Sequence, residues 1–425
     1  MMTGQIVNHI RKNQLHKGMI WFLLILVFLV SEGCGSRKET HTAGSTEEPQ
    51  QEQAGDQGPE DAASTVSWTG MAQTGSMDLS YAECFSVDYF DDEYSLIRIE
   101  DSGSFLLVEE NSPVPADLPE DIVVLRKPLD HIYDASSSTL DFFRELDSLS
   151  SVAMTSTEAE DWAIPEIREL VASDQITYVG KYRAPDYEYI LDEDCDLAIE
   201  NTMIYHKPEV KEKLEELGIP VLVERSSYEP HPLGRLEWIR FYGLLTGKTE
   251  EADRFYESQL REIEDILTKN DPAAAADRTK DGPSAGIFYL NGSGAAVIRR
   301  PGDYLSRMIE LAGGSYAYAD LTDEDGTVSS SMTIQMENFY QASKDADLLI
   351  YNTTVAGGPA SLEDLRSAHP LLADLKAVRE GRLYCTGMNM FQQVTGTCTM
   401  IRDFYTILRE EDSDDTKLTY LRKLS

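Results

Sequence analysis

Three histidines, His131, His206 and His231, lie close to acidic residues, and imidazole with carboxylate is a donor set that captures metal ions. No compact ligand spacing joins them, so they read as hydrogen-bonding loop histidines and no metal is assigned. A second set is aromatic or amide-bearing. Trp162, Tyr205, His206, Tyr228, His231, Asn291, Asn352, Asn389 and Gln392 follow strand-like runs, where loop side chains surround a bulky molecule by stacking and hydrogen bonding. A third set is cationic. Lys181, Arg183, Arg225, Arg299 and Arg300 suit an anionic chelate, because these side chains favour carboxylate and catecholate oxygens. Arg183 and Arg299 stand foremost, since their neighbours look like lobe-edge loops. No catalytic residues are assigned: the chain lacks G-x-S-x-G, H-E-x-x-H and a Walker loop. Asn291-Gly-Ser-Gly294 has neither a third glycine nor the Lys-Ser/Thr of a phosphate loop, and reads as a tight turn. The chemistry is recognition, and no intrinsic cofactor is expected.

The elements that must position these residues alternate between helix and strand. Pro208 opens a helix with Val210, Leu214 and Leu217 on one face, Gly218 stops it, and Ile219–Val223 is a short apolar run suited to a buried parallel strand. The alternation recurs later with a near-literal repeat. Asp194-Cys-Asp-Leu-Ala-Ile-Glu-Asn-Thr202 matches Asp345-Ala-Asp-Leu-Leu-Ile-Tyr-Asn-Thr353, and in both copies a buried strand exits into Asn-Thr at its carboxyl end, where open α/β sheets bind ligands. The expected fold is therefore α/β with two Rossmann-like lobes. Between them, Ala252, Phe255, Tyr256, Gln259, Leu260, Ile263 and Leu267 recur at helical spacing, so a single helix over 250–270, about 30 Å long, is expected to brace the lobes. The segment from Asp271 through Asp281-Gly-Pro283 is expected as a loop before a strand at Ile287–Leu290.

Length and composition bound this reading. A chain of 425 residues, 41% hydrophobic and 26% charged, is globular and long enough for two lobes. A formal charge of −38 excludes nucleic acid as a partner, because phosphate binding requires clustered Lys and Arg. At the N-terminus Arg11, Lys12 and Lys17 precede an apolar stretch from Met19 to Val30 and then Ser31-Glu32-Gly33-Cys34, the order of an export signal. Residues 1–33 are read as the signal peptide and 34–76 as a tether too poor in apolar residues to fold. The body divides into an N-terminal α/β lobe over 77–249, the helix over 250–270 and a C-terminal lobe over 271–425. An extracytoplasmic address permits a disulfide among Cys84, Cys195, Cys385 and Cys398, although Cys195, in a strand pattern, is expected as a buried free thiol.

Several segments, in order, resemble one family. Cys34 after Gly33 is similar to the lipobox cysteine of bacterial lipoproteins, with Glu32 departing from the usual small residue. Pro128-Leu-Asp-His-Ile-Tyr-Asp-Ala-Ser-Ser-Ser138, Tyr228-Glu-Pro-His-Pro-Leu-Gly-Arg-Leu-Glu-Trp238, Leu311-Ala-Gly-Gly314 and Gly381-Arg-Leu-Tyr384 make the stretch from Pro128 to Leu408 resemble the substrate-binding proteins of iron-complex and cobalamin ABC importers. The resemblance implies two lobes facing a cleft across a rigid helix, and a ferric siderophore, haem or cobalamin as ligand. It also implies a monomer held to the outer face of the cytoplasmic membrane by a lipid on Cys34. One glutamate per lobe would dock on arginines of an ABC permease with its ATPase; the matching positions are Glu188 and Glu337. The rival readings are a bilobal sensor or adhesion lipoprotein and a secreted hydrolase with an unrecognised site.

Overall fold

The computed structural model describes residues 66–270, 282–321, 330–355, 357–409 and 418–425. The export signal, Cys34, most of the tether and the 271–281 loop lie outside the described residues. Among those described, the strands form three sheets, and no helix is long and apolar enough to cross a membrane.

The first sheet corrects the sequence reading, which placed 77–249 in one α/β lobe. Strands β1 (Gln73–Ser76), β2 (Phe85–Phe90), β3 (Tyr94–Ile99), β4 (Gly103–Val108) and β5 (Ile122–Arg126) pair in order, antiparallel except for β4 with β5. Alternation puts Phe85, Val87, Ile97, Ile99, Phe105 and Leu107 into the main core, while Tyr94, Leu96, Leu106 and Val108 form a smaller cluster on the other face. Strand β1 also ends the expected tether earlier than residue 76.

The first α/β lobe begins after the cis Lys127–Pro128 peptide. Its parallel sheet has the order β10-β9-β6-β7-β8, with β6 (Ile132–Asp134), β7 (Val152–Thr155), β8 (Thr177–Tyr178), β9 (Leu197–Glu200) and β10 (Val221–Val223). Its helices are α1 (Leu140–Glu145), α2 (Pro165–Ala172), α3 (Tyr187–Asp192) and α4 (Pro208–Glu216). As expected, Pro208 starts α4, and Gly218, at φ 84°, turns the chain toward β10.

The bracing helix is α5 (Pro232–Thr246), not 250–270. Pro232 presets its first turn, His231 caps it by accepting from Leu233 N–H at 3.2 Å, and Gly247, at φ 71°, ends it. Nearly every residue of α5 is buried, and it packs against α1 of the first lobe and against α8 (Tyr304–Leu311) and α13 (Thr397–Arg409) of the second. Phe142 stacks on Tyr242 at 4.9 Å. The expected 250–270 helix breaks at Ile263 into α6 (Thr249–Glu262) and α7 (Glu264–Lys269); α6 lies along α5. Two buried glutamates fasten the first sheet to this region. Glu237 on α5 accepts from the backbone N–H groups of Ser80, Tyr81 and Ala82 at 2.8–3.1 Å. Glu229 accepts from Glu83 and Cys84 N–H and from Trp238 Nε1 at 2.8–3.0 Å. The approach is so close that a Cβ on Gly234 would lie 2.6 Å from the Tyr81 carbonyl oxygen.

The second lobe carries β11 (Ser284–Leu290), β12 (Ala296–Arg299), β13 (Ser315–Tyr316), β14 (Ser331–Ile334), β15 (Leu348–Tyr351), β16 (Leu383–Thr386) and β17 (Leu421–Lys423), ordered β14-β12-β11-β15-β16-β17 with β13 also on β11. Helices α9 (Met336–Ser343), α10 (Leu362–Ala368), α11 (Pro370–Ala373) and α12 (Lys376–Arg379) complete it with α8 and α13. The repeated sequence is a repeated device. Asp196, before β9, accepts from Asp130 and His131 N–H at the start of the neighbouring β6, both at 2.9 Å. Asp347, before β15, accepts from Ser284 N–H at the start of neighbouring β11, at 2.8 Å. All four described cysteines are free thiols; Cys84, Cys385 and Cys398 are buried and Cys195 is partly so.

Candidate functional site

The carboxyl ends of β6, β9 and β10 point toward the second lobe, and the loops leaving them form one wall of a cleft of about 300 Å³. Ser136–Ser138 follow β6, Asn201–Met203 follow β9, and Glu224, Ser227 and Tyr228 follow β10. Local hydrogen bonds hold these loops. Asp134, fully buried, accepts from Ser136 N–H at 2.6 Å and from the Thr139 hydroxyl. Asn201 donates to the Ala135 carbonyl at 2.7 Å and accepts from Met203 N–H at 2.8 Å. The Thr202 hydroxyl donates to the Tyr228 phenol at 3.0 Å.

The opposite wall comprises Arg299 at the end of β12, Ser330, Tyr304 on α8 and Phe391, with Arg235 entering from α5. Arg299 grips Asp303 through two bonds of 2.9 and 3.0 Å. Burial works against its charge, and Asp303 more than restores it. Its guanidinium carbon lies 5.5 Å from the Tyr304 ring centre, and that of Arg235 lies 4.5 Å from the same ring. Arg235 is 3% exposed, donates through Nη2 to the Phe391 carbonyl at 3.3 Å, and has an Nε without a partner among the described residues. Burial pushes the neighbouring Glu224 carboxyl up, with Arg235 opposing, and pushes Asp134 up to about 8. The cleft thus sets hydroxyls and the Glu224 carboxyl on one side against two guanidinium groups on the other, donors suited to an anion.

Of the residues singled out in the sequence, Tyr228 and Arg299 line this cleft together with Ser136–Ser138 and Met203. The others are placed elsewhere. Trp162 is fully buried and donates to the Thr157 carbonyl. Arg183 is exposed in the turn before α3, and His206 is exposed at the end of the turn Thr202–His206. Tyr205 donates to the Asp101 carbonyl at 2.8 Å. His231 caps α5 and stacks on Tyr81 at 4.5 Å, with burial pushing it down to about 4. Asn291 and Asn352 cap their own turns, and Asn389 donates to Gln393 at 2.9 Å. Gln392 joins the lobes: it accepts from Ala163 N–H at 2.6 Å and donates to the Asp161 carbonyl at 2.9 Å. Sequence reading missed Arg235, Glu224 and Tyr304. The signal for Arg235 was a cation, one of two with Arg240, within the largely apolar run 232–246. Among the described residues no group of three or more His, Cys, Asp or Glu side chains is arranged to hold a metal ion.

Glu188 and Glu337 are both exposed in the first turn of a helix, α3 and α9, each followed by the Asp-x-Asp that leads into β9 or β15.

Residues 137–389 match the family model described as periplasmic binding protein. The chain is 24% identical to an uncharacterized lipoprotein of Methanocaldococcus jannaschii, over 95% of each. Its fold is similar to that of a periplasmic heme binding protein from Pseudomonas aeruginosa, with a TM-score of 0.52 at 18% identity, covering 70% of this chain and 98% of that one. A molybdate periplasmic binding protein of a Haemophilus influenzae ABC transporter gives a TM-score of 0.52 at 12% identity, covering 69% and 91%. At these identities the likeness is one of fold.

Proposed function

The chain belongs to the periplasmic binding protein family, and on that premise we propose that it captures an anionic iron complex, a ferric siderophore or haem, for an ABC importer. The observation that carries this reading is Arg235: a guanidinium 3% exposed, with an unpartnered Nε, facing a cleft it shares with Arg299. Among the described residues Arg235 has no ion pair, so an anionic ligand would complete it. A buried charge is costly unless paired. Tyr228, Tyr304 and Phe391 add flat apolar surface suited to aromatic chelators or a macrocycle. Cobalamin ranks behind these ligands, because it offers less anionic charge to two guanidiniums.

In this reading Cys34 carries a lipid that holds the protein outside the cytoplasm, and Glu188 and Glu337 meet arginines of the permease. Their placement at matching helix starts on the two lobes supports a two-point contact. A thermal-shift and fluorescence-quenching screen of residues 66–425 against haemin, ferric siderophores, cobalamin and molybdate tests the proposal. Binding stabilises the folded protein by mass action, by about 2.7 kcal/mol at a hundredfold excess over Kd, and so raises the melting temperature. A response to the iron complexes supports the reading; a response to cobalamin or molybdate alone overturns the assigned cargo.

A further inference from the structure

The N-terminal sheet over 73–126 lies wholly outside the family match at 137–389, yet one of its turns reaches the cleft wall. Residues Glu100–Ser102 link β3 to β4, with Asp101 in the left-handed region at φ 56°. Three contacts join this turn to the first lobe. The Ser102 hydroxyl accepts from Val223 N–H at 2.8 Å, on the last residue of β10. The Asp101 carbonyl accepts from the Tyr205 phenol. The Glu100 and Asp101 carboxylates lie 3.3 and 3.4 Å from Arg225 Nη2.

Arg225 is the connecting piece. Its side chain is 8% exposed, whereas those of Glu100 and Asp101 are 59% and 70% exposed, so the turn supplies the only carboxylates in ion-pair contact with it among the described residues. Its guanidinium lies 4.6 Å from the centre of the Tyr228 ring, and Tyr228 forms the cleft wall. The ring is therefore fixed on one side by Arg225 and at its hydroxyl by Thr202. Without the turn, Arg225 would lose its counter-charge and its hold over the ring.

We infer that the N-terminal sheet buttresses the ligand site from behind its wall: its Glu100–Ser102 turn holds Arg225 over Tyr228 and so positions the Tyr228 ring for the ligand. This rests on the reading of the cleft as the ligand site. Arg225 and the turn are positioning residues, with Tyr228 making the contact.

Fluorine NMR of protein labelled with 3-fluorotyrosine tests the positioning directly, the Tyr228 line being assigned by its loss in Tyr228→Phe. Glu100→Gln with Asp101→Asn is expected to shift that line while distant Tyr351 and Tyr405 stay in place; an unmoved Tyr228 line overturns the inference. This readout needs no ligand, so its outcome holds whatever the cargo. A double-mutant cycle on haemin affinity adds a second arm. The turn variant is expected to weaken binding about three- to tenfold and to add nothing in a Tyr228→Ala background. Losses that simply add would overturn action through Tyr228. An exposed ion pair with no positioning role would move neither readout.

Discussion

The two lobes start their central strands with the same device and line the cleft with opposite chemistry. Asp196 and Asp347 each tie a strand to its neighbour's start through backbone N–H groups. Beyond the strand ends, the first lobe presents Ser136–Ser138, Thr202 and Glu224, and the second presents Arg299, Tyr304 and Phe391. A repeated frame thus fixes where loops emerge and leaves their side chains free to diverge. Structure lies in the repeat, and selectivity lies in what differs between its copies.

The largest expected effect tests the symmetry. Glu188→Ala with Glu337→Ala is expected to abolish uptake by cells while the purified protein keeps its ligand affinity. Each single variant should retain part of the uptake, because the remaining contact still engages the permease, with avidity reduced; weakened affinity would place these residues in binding instead.

The next effect tests the asymmetry. Arg235→Met, which keeps most of the volume, is expected to weaken an anionic iron complex by about 1.5–3 kcal/mol, roughly ten- to a hundredfold in Kd by fluorescence titration. Arg299→Met should cost less, because Asp303 already engages its guanidinium. The reverse order would make Arg299 the principal contact.

The smallest effect distinguishes the lobes by pH. Burial pushes Asp134 up to about 8 and Glu200 up to about 9 in the first lobe, whereas Asp403 on α13 rises only to about 6. Each is protonated when folded and ionised when unfolded between its ordinary value and its raised one. The stability is therefore complete below the ordinary carboxyl range and is lost as pH climbs through these values. Melting temperature should fall between pH 5 and 9. Asp134→Asn and Glu200→Gln should flatten that slope over its whole length, up to about pH 8 and 9, and Asp403→Asn only the part below about pH 6.

The alternating elements and the Asp-x-Asp echo were legible in the sequence because they depend on local spacing. The bracing helix was not. Residues 250–270 carry an amphipathic stripe, the mark of a helix with one wet face, whereas α5 is apolar nearly all round and shows no period. Arg235 was hidden for the same reason, since a charge in a helix reads as a solvated one until the surrounding burial is known. The N-terminal sheet had its signals in the alternation Phe85, Val87, Tyr89 and the Asp101-Ser102-Gly103 turn. Its separation from the parallel sheet depends on long-range pairing that spacing does not report. Tyr228 and Arg299 were found because they stand at strand ends, where sequence and cleft coincide.

The grip of Glu237 on Ser80, Tyr81 and Ala82 spans 155 to 157 residues of chain. During synthesis the N-terminal sheet therefore emerges long before the carboxylate that secures it. Its turn can meet Arg225 only after more than a hundred further residues have been added. Assembly of the cleft is thus a late event set by chain order: the segment made first waits longest, and a chain interrupted before α5 would leave a sheet with no partner to buttress.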